Sequence, residues 1–572
     1  MSFVLIILSK LRTDIRTKSI LLFILPLLFI SACDLNPGKP ESPNPSITFT
    51  VAPDEIPDTE RSATPTPVLS TIPLTIWVDP RYPSTIHTIF NSLSNFEVVL
   101  NRQDSTLTTS VLSGTPAGSW TYLLVTPFPS LREDISVTDF LNFWQNGNTS
   151  SIPDSQISLS EDTKNALTLL LGDPSRDGLR IIEANTILPS LLPDTDSLAI
   201  IPFDLINPNW KILSIGDQNP LDPDFDRDQY LLTLPIFISS LSDSLGSITL
   251  INPIENFNPD KLTTIALTGV TSLVRDTASI MEEKGLLYPA EDIYSLLESA
   301  DITHISNEVP FAEDCPSPDS DQGSLYFCSK DEYIELLETV GTDIVELSGD
   351  HFGDWGPEAM LHTLDLYHDR NWLTYGGGAT LLEGLQPAYL VHNGNRFAFI
   401  GCNAKGQDKY ASASETNPGA SRCDFDWMLP EITSLSDQGF LVIATMQHEE
   451  IDSFSPVAWQ NYDFRNLANA GAVIVSGSQA HHPQAVEIFG SSFIHYGLGN
   501  LFFDQWYLAQ YNPEAHINKD KSFIDLHHFY AGSYINTQLI TLQFVDNAKP
   551  RFMTPDEREI FLSEVFQVSV WD

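Results

Sequence analysis

Short apolar runs, each followed directly by a polar cluster, recur through the second half of the chain. Residues 343–347, 440–444 and 472–475 are rich in β-branched side chains, which is typical of buried parallel strands. Polar clusters of this kind occupy residues 306–308, 349–356, 447–450 and 477–481. In an open α/β sheet, side chains just past the carboxyl ends of strands converge on one crevice. The pattern therefore predicts one shared site built from these clusters.

Helical stretches alternate with the predicted strands, at residues 289–299, 329–340 and 357–370. Such alternation is typical of the α/β class. Earlier apolar runs at 74–78, 122–125 and 198–203 also alternate with helical segments, which predicts a separate α/β domain over residues 73–253. This domain is weakly similar to extracytoplasmic solute-binding domains, but we find no ligand motif in it.

Imidazoles and carboxylates are concentrated in the polar clusters of the second half, at Glu308, Asp350, His351, His448 and His481. Neutral imidazole nitrogen and carboxylate oxygen are ligands that suit zinc, manganese or iron. The sequence therefore predicts a site for a divalent metal ion.

Each of these residues also has a structural interpretation. His351 and His448 are compatible with hydrogen-bonded interior histidines, and Asp350 and Glu308 with caps of the helices that follow the strands. Glu449 and Glu450 fit a solvated loop edge as well as a role near the cleft. Single residues leave both interpretations open, whereas the ordered set of clusters favours a shared site.

The clusters, taken together with the stretch that follows them, resemble the CapA family of poly-γ-glutamate capsule synthesis proteins. Residues 350–356 resemble the family's Asn-Asn-His-x-x-Asp-x-Gly motif, and residues 477–484 its Gly-His-His-Pro-His-x-x-Gln motif. Residues 493–504 are similar to the family's tyrosine, Ser-Leu-Gly-Asn, aromatic and aspartate stretch. The resemblance covers roughly residues 262–510. It implies a calcineurin-like metallophosphatase sandwich of two sheets flanked by helices over residues 254–550, followed by a C-terminal extension at 551–572.

Four positions depart from the family pattern, one of them Asp350, which replaces a family asparagine and adds a negative charge. The family's first strand ends in Gly-Asp, with a metal-binding carboxylate, but this chain has Gly269-Val270. The acid of the family's Asn-Leu-Glu motif is shifted by one position to Glu308, and a one-residue shift turns a side chain to the other face of a strand. The first histidine of the family's His-x-His pair is Gln479, whereas the second is His481.

The resemblance implies Asp350, His448, His481, Glu308 and the Gln479 position as metal ligands, and His351 as the proton donor to a leaving group. Because Val270 cannot ligate, we expect a single divalent ion (manganese, zinc or iron) or a metal-free cleft rather than a dinuclear centre. The implied function is synthesis or export of an anionic surface polymer by metal-assisted hydrolysis. The alternative is a non-catalytic scaffold that binds a polymer or a surface-assembly protein through a degenerate metal site.

The amino terminus predicts where the protein resides. Basic residues at 10, 12, 16 and 18 precede the apolar run 20–30, and Ser31-Ala32 leads into Cys33. This arrangement resembles a bacterial lipoprotein signal peptide over residues 1–32, with lipidation at Cys33 and a Pro/Ser/Thr-rich tether over 33–72. An uncleaved membrane anchor is the alternative. Both place the body outside the cytoplasm, at the cell membrane.

Four cysteines remain once Cys33 is set aside, namely Cys315, Cys328, Cys402 and Cys423. An even number of cysteines in an oxidising compartment indicates disulfides. The simplest pairing joins Cys315 to Cys328 and Cys402 to Cys423, because each bond closes a short loop, although sequence leaves the connectivity open.

Acidic residues dominate the charge, with 75 Asp plus Glu against 29 Lys plus Arg and a formal net charge of −46. Such a field repels phosphate backbones, so we expect no nucleic-acid partner.

Overall fold

A computed structural model of the chain describes residues 74–147, 156–192, 194–241, 250, 252–405, 411–505 and 517–571. The expected signal peptide, the tether and Cys33 lie outside the described residues. Within the part that is described, we find no helix with the length and apolarity that crossing a bilayer requires.

Twelve α-helices occur in the described ranges, and several begin at side-chain caps such as Ser136, Ser160 and Thr554. They are α1 (Ser84–Ser92), α2 (Val137–Asn146), α3 (Glu161–Leu171), α4 (Ile187–Leu191), α5 (Arg275–Lys284), α6 (Tyr294–Ser299), α7 (Ile334–Thr339), α8 (Gly356–Asp369), α9 (Leu381–Gly384), α10 (Phe425–Asp437), α11 (Ala458–Ala470) and α12 (Pro555–Val568).

The strands of the first half form a ten-stranded mixed sheet, in the order β2-β1-β3-β11-β4-β8-β6-β7 with β9 and β12 paired to β4. These strands, together with the short pair β5 and β10, are β1 (Leu74–Trp77), β2 (Phe96–Val98), β3 (Leu107–Ser110), β4 (Thr115–Pro127), β5 (Asp134–Ile135), β6 (Ile157–Leu159), β7 (Leu179–Ile181), β8 (Leu198–Pro202), β9 (Trp210–Ile212), β10 (Ser214–Ile215), β11 (Thr233–Ser240) and β12 (Ile254–Glu255).

The strands of the second half form two larger sheets, of eight and seven strands, and one short pair. The eight-stranded sheet has β13 (Leu262–Thr271), β14 (Ile302–Asn307), β15 (Thr342–Glu346), β16 (Leu373–Tyr375), β25 (Asn500–Phe502), β26 (Lys521–Tyr530), β27 (Ser533–Phe544) and β28 (Pro550–Phe552). The short pair is β17 (Gly377–Gly378) with β20 (Gly419–Ala420). The seven-stranded sheet has β18 (Ala388–His392), β19 (Asn395–Asn403), β21 (Leu441–Gln447), β22 (Ala472–Ser476), β23 (Val486–Phe489), β24 (Ser492–His495) and β29 (Val570–Trp571).

Each large sheet of the second half has a parallel centre. In the eight-stranded sheet, β13 to β16 are parallel neighbours, and β26 continues the sheet antiparallel to β13. In the seven-stranded sheet, β19, β21, β22 and β24 are parallel neighbours. Parallel strands are typically covered on both faces, and these strands are accordingly almost continuously buried.

The two large sheets pack face to face as a sandwich. One apolar cluster joins side chains of both sheets, including Leu267 and Phe523 from one and Phe399 and Ile443 from the other. The outer face of the eight-stranded sheet packs against α5 to α8, and the outer face of the other sheet against α10 and α11. The two-sheet sandwich flanked by helices is thus confirmed, as is the mixed α/β class.

The C-terminal residues are part of this sandwich. Phe561, Leu562 and Val565 of α12 lie in the cluster between the sheets, and β29 pairs with β23. The described residues of the expected extension, 551–571, therefore help to close the sandwich.

The first half packs directly against the sandwich. The side-chain amide of Asn536 on β27 donates to the carbonyl of Trp210 at 2.6 Å, and Arg558 of α12 lies 2.8 Å from Glu133. A cavity of about 520 Å³ lies at this contact, lined by residues of both halves such as Lys211. The division at residue 253 stays a prediction.

Buried histidines are unusually frequent inside the sandwich. Their hydrogen bonds are His304 to Tyr375 (2.8 Å), His495 to Asp525 (2.7 Å), His527 to Thr537 (2.7 Å) and His528 to Thr264 (3.1 Å). Burial lowers the pKa of His304 and of His528 to about 3, and that of His527 to about 4. These three imidazoles are therefore neutral at physiological pH.

Candidate metal centre

The polar clusters lie where parallel strands of the two sheets end. Glu308 follows β14, Asp350 and His351 lie shortly after β15, His448 follows β21, and His481 lies in the loop after β22. This placement agrees with the rule that sites in α/β sheets form beyond the carboxyl ends of strands.

Glu308, Asp350 and His351 form a compact group. Each offers one ligand atom, and these three atoms lie within 4.8 Å of one another. The loops can come this close because residue 349 is glycine. A Cβ atom there would lie 2.8 Å from the Cα of Glu308, which is too close for any side chain.

Glu308 is the most unusual member, because its carboxylate is buried without a hydrogen bond. The residue is 1 % exposed, and neither carboxylate oxygen has a hydrogen-bond partner within the described ranges. The imidazole Nε2 of His481 lies 3.4 Å from Oε1. Burial of an ionised carboxylate is costly unless it is paired or binds a metal, so these oxygens fit a cation.

Asp350 is held by two donors. The side-chain amide of Gln447 donates to Oδ1 at 2.7 Å, and the ammonium Nζ of Lys405 lies 3.1 Å from Oδ2. Burial alone would raise the pKa of Asp350, but the charges of Lys405 and His351, with the Gln447 hydrogen bond, hold it well below its usual range. Asp350 is therefore ionised under all ordinary conditions.

His351 is positioned by Asp354. Its Nδ1 lies 2.7 Å from Oδ2 of Asp354, which also accepts from the backbone N–H of Phe327 at 3.0 Å. Burial alone would lower the pKa of His351, but the Asp354 hydrogen bond and the charges of Glu308 and Asp350 raise it to about 9. The imidazole is therefore cationic at neutral pH when no metal is bound.

His481 and Glu450 adjoin the group. Nδ1 of His481 lies 2.9 Å from Oδ1 of Asn500, and its Nε2 lies 3.5 Å from Oε1 of Glu450. Burial alone would raise the pKa of Glu450, but the charges of His481 and Lys405 lower it to about 2. Of the two interpretations that the sequence left open for Glu450, this geometry favours the role near the cleft.

His448 and Gln479, two expected ligands, have different surroundings. Nε2 of His448 lies 3.1 Å from Asp463, and its ring lies 4.3 Å from that of Trp459. The amide of Gln479 is buried and has no partner in the described part of the chain. Neither residue belongs to the group of ligand atoms around Glu308.

The position where the resemblance implies a metal-binding aspartate is apolar. Val270 is fully buried in a cluster with Val274, Val309, Phe327 and Phe503. Such surroundings would not stabilise a second ion.

A buried arginine supports the aromatic part of that cluster. The guanidinium of Arg275 lies over the rings of Phe327 and Phe503, at 5.2 and 5.0 Å, and binds Asp504 at 2.7 Å. The same two phenylalanines contact the imidazoles of His351 and His481, at 5.0 and 5.2 Å between ring centroids. The Arg275–Asp504 pair therefore holds the two phenylalanine rings against which both imidazoles pack.

Both expected disulfides are present. Cys315–Cys328 and Cys402–Cys423 have S–S distances of 2.05 and 2.07 Å. The second disulfide adjoins Asn403, whose side-chain amide donates to the carbonyl of Ser348 at 2.8 Å. This hydrogen bond connects the segment that carries Lys405 to the loop that carries Asp350.

The charged groups around the centre limit what it can bind. The carboxylates of Glu308, Asp350, Asp354 and Glu450 face Lys405 and His351, and Nε2 of His481 lies 3.4 Å from Glu308 and 3.5 Å from Glu450. The buried oxygens of Glu308, which have no hydrogen-bond partner in the described ranges, fit one divalent cation. The sequence analysis missed Lys405, which lies just past the end of β19, because that end carries no cluster of imidazoles or carboxylates.

The fold and this cluster define a two-sheet α/β domain with a candidate mononuclear metal centre at the carboxyl ends of its strands. Residues 264–505 match the family model described as bacterial capsule synthesis protein PGA_cap. This part of the chain is therefore similar to that family and to CapA proteins.

Two curated relatives show the same similarity. The capsule biosynthesis protein CapA of Bacillus anthracis is 24% identical over 262 residues, which are 44% of this chain and 62% of the relative. The PGA biosynthesis protein CapA of Bacillus subtilis (strain 168) is 21% identical over 249 residues, 43% of this chain and 64% of the relative. The chain thus spans less than two thirds of the length of either relative.

Similar solved structures show only low overall similarity. A putative 5'-nucleotidase from Staphylococcus aureus has a TM-score of 0.33 at 12% identity, covering 53% of this chain and 58% of its own. An ABC-type phosphate transport receptor from Vibrio cholerae has a TM-score of 0.26 at 11% identity, covering 30% of this chain and 88% of its own. The similarity to the capsule synthesis family does not depend on these two structures.

Proposed function

We propose that this protein takes part in the synthesis or export of an anionic surface polymer of the poly-γ-glutamate capsule type, by metal-assisted hydrolysis at the Glu308, Asp350 and His351 group. The family match and the names of the two CapA relatives support the capsule role. The observation that carries the chemistry is Glu308, whose two buried carboxylate oxygens have no hydrogen-bond partner among the described residues.

Glu308 and Asp350 would hold the ion, because both carboxylates lie within the same small group. A bound divalent cation would supply Lewis acidity toward an ester or amide carbonyl and would lower the pKa of water. The chain itself contributes orientation, since Gln447 fixes one oxygen of Asp350. The glycine at 349 keeps the two carboxylates together.

His351 would donate the proton to the leaving group. Asp354 holds its Nδ1, which orients the imidazolium for proton donation. After the transfer, the neighbouring carboxylates favour reprotonation of the same imidazole. Asp354 thus orients the imidazole of His351 and favours its protonated form.

We also propose that the body is tethered to the outer face of the cell membrane by a lipid on Cys33. The two disulfides support an oxidising compartment. Labelling with a palmitate analogue should require Cys33, and undiminished labelling of Cys33→Ala would rule out the lipid anchor.

Metal content is the first experiment. The full chain, purified in detergent, should bind close to one equivalent of Mn²⁺ or Zn²⁺, and both Asp350→Asn and Glu308→Gln should lower the affinity about a hundredfold or more. His351→Gln should keep the ion and lose turnover. His448→Ala is the matched control, because its imidazole binds Asp463 outside the group. No uptake by the wild-type chain would refute the proposed centre.

A second candidate function is a non-catalytic cleft that binds a polymer or a surface-assembly protein. The apolar cluster around Val270 and the ammonium of Lys405 inside the acidic group both favour it. Binding of short poly-γ-glutamate that is unchanged by Asp350→Asn, without any hydrolysis, would support this function over the enzymatic one.

A further inference from the structure

Lys405 places a positive charge inside the group that would receive the cation. Its ammonium Nζ lies 3.1 Å from Oδ2 of Asp350 and also pairs with Oε1 of Glu450. The charge of the ammonium is therefore directed at one of the ligand carboxylates.

The chain holds this lysine in place through its neighbours. The guanidinium of Arg422 donates to the carbonyl of Lys405 at 2.6 Å and to Oδ1 of Asn403 at 3.1 Å. Asn403 in turn donates to Oε1 of Gln447 at 2.6 Å, and Gln447 binds Asp350. These contacts, together with the Cys402–Cys423 disulfide, set the position of Lys405 relative to Asp350.

An ammonium group and a divalent cation cannot occupy the same side of one carboxylate, because their charges repel at such short distance. We propose that Lys405 is a tethered counter-ion of the candidate metal centre, which an incoming divalent cation must displace from Asp350. Glu450 then retains the displaced ammonium at the edge of the centre. This role rests on the single-cation site of the proposed function. In it, the ammonium of Lys405 limits the affinity of that site for the cation.

Lys405 therefore weakens metal binding while stabilising the metal-free protein. Removal of the ammonium leaves Asp350, Glu308 and Glu450 with a larger negative charge, which only a cation can neutralise. An arginine at the same position would keep the charge and hence the competition.

The test is a calorimetric titration of the full chain with Mn²⁺ at fixed ionic strength. Lys405→Met should bind about tenfold more tightly than the wild-type chain or better, and Lys405→Arg should bind like the wild type. Lys330→Met is the matched control, since Lys330 also pairs with a carboxylate and its side chain is 25 % exposed, against 23 % for Lys405. It should leave the affinity unchanged. Addition of Glu308→Gln to Lys405→Met should abolish the gain.

The outcomes separate the two proposals. An affinity of Lys405→Met equal to or weaker than that of the wild type would overturn the counter-ion role and leave the single-cation site standing. An equal gain in Lys330→Met would assign the effect to net charge and would also overturn the role. No binding by any of the variants would remove the cation site itself, and the counter-ion role with it.

Discussion

Histidines in two regions of the sandwich have pKa values shifted in opposite directions. At the candidate centre, carboxylates surround His351 and raise its pKa to about 9. Within the strands, burial lowers the pKa of His304 to about 3 and of His527 to about 4, although carboxylates of Glu346 and Asp525 lie 3.7 and 4.0 Å away. The difference teaches that the balance between burial and direct hydrogen bonds to carboxylates, rather than a nearby carboxylate alone, decides whether a buried histidine carries a proton.

The largest expected effect is acid unfolding through the interior histidines. Their folded-state pKa values lie below the unfolded value of about 6.5, so the unfolded chain binds more protons as the pH falls from 6.5 toward 4. Stability should therefore fall across this window, by about 2 kcal/mol for each of the three histidines at pH 5. Urea unfolding at a series of pH values measures this loss.

The variant His304→Gln tests how much one of these histidines contributes to the loss of stability in acid. Because the variant removes one titrating group, the slope of unfolding free energy against pH should decrease by about 1.4 kcal/mol per pH unit between pH 4 and 6.5. At pH 8 the histidine is neutral in both the folded and the unfolded chain. The difference in stability between the variant and the wild type at this pH therefore measures the loss of packing alone. A slope equal to that of the wild type would mean that His304 does not take part.

The next largest effect concerns the apolar position beside the centre. Val270→Asp restores the carboxylate of the family pattern, but it puts a charge among Val309, Phe327 and Phe503. We expect a loss of about 3–5 kcal/mol in the free energy of unfolding in the presence of a chelator. Val270→Ala, which only removes methyl groups, is the control and should lose about half as much or less. Equal losses would show that the site tolerates a carboxylate.

His351 should show the opposite pH dependence to the interior histidines. Because its folded-state pKa is raised to about 9, its contribution to stability is complete below pH 6.5 and is lost as the pH rises through 9. The contribution amounts to roughly 3 kcal/mol. In chelator-treated protein, His351→Gln should flatten the decline between pH 6.5 and 9, and an unchanged decline would contradict the raised pKa.

The smallest effect concerns the partner of that histidine. Asp354→Asn keeps the shape and an acceptor but removes the charge, so the pKa of His351 should fall by about one unit. Proton NMR titration of the imidazole measures this change. Asp331→Asn, at the distant carboxylate that binds His362, is the control and should leave the titration of His351 as it is.

Much of the framework could be predicted from the apolar pattern, because burial on both faces leaves a strong signal in parallel strands. The runs at 343–347, 440–444 and 472–475 correspond to β15, β21 and β22 within a few residues. The predicted helix at 289–299 is shorter in the structure, where α6 spans only Tyr294–Ser299 after a 3-10 turn at Tyr288–Ala290. Pro289 accounts for that turn, since proline lacks the N–H that a continuing helix needs.

The site itself could be predicted only in part. Sequence pointed to Glu308, Asp350 and His351, because each follows a strand directly or closely, and the structure brings these three together. Lys405 also follows a strand, just past the end of β19, but the residues directly before it, Asn403 and Ala404, carry no imidazole or carboxylate that would mark the position. The partnership of His448 with Asp463 carries no mark in the linear sequence either.

The Cys402–Cys423 disulfide has a practical consequence for anyone who purifies this protein. A chain produced in a reducing cytosol would lack the covalent clamp next to Asn403, and the segment bearing Lys405 would rely on hydrogen bonds alone. Metal affinities measured on such material would describe a loosened loop instead of the disulfide-bonded protein. Thiol quantification therefore belongs before every binding assay.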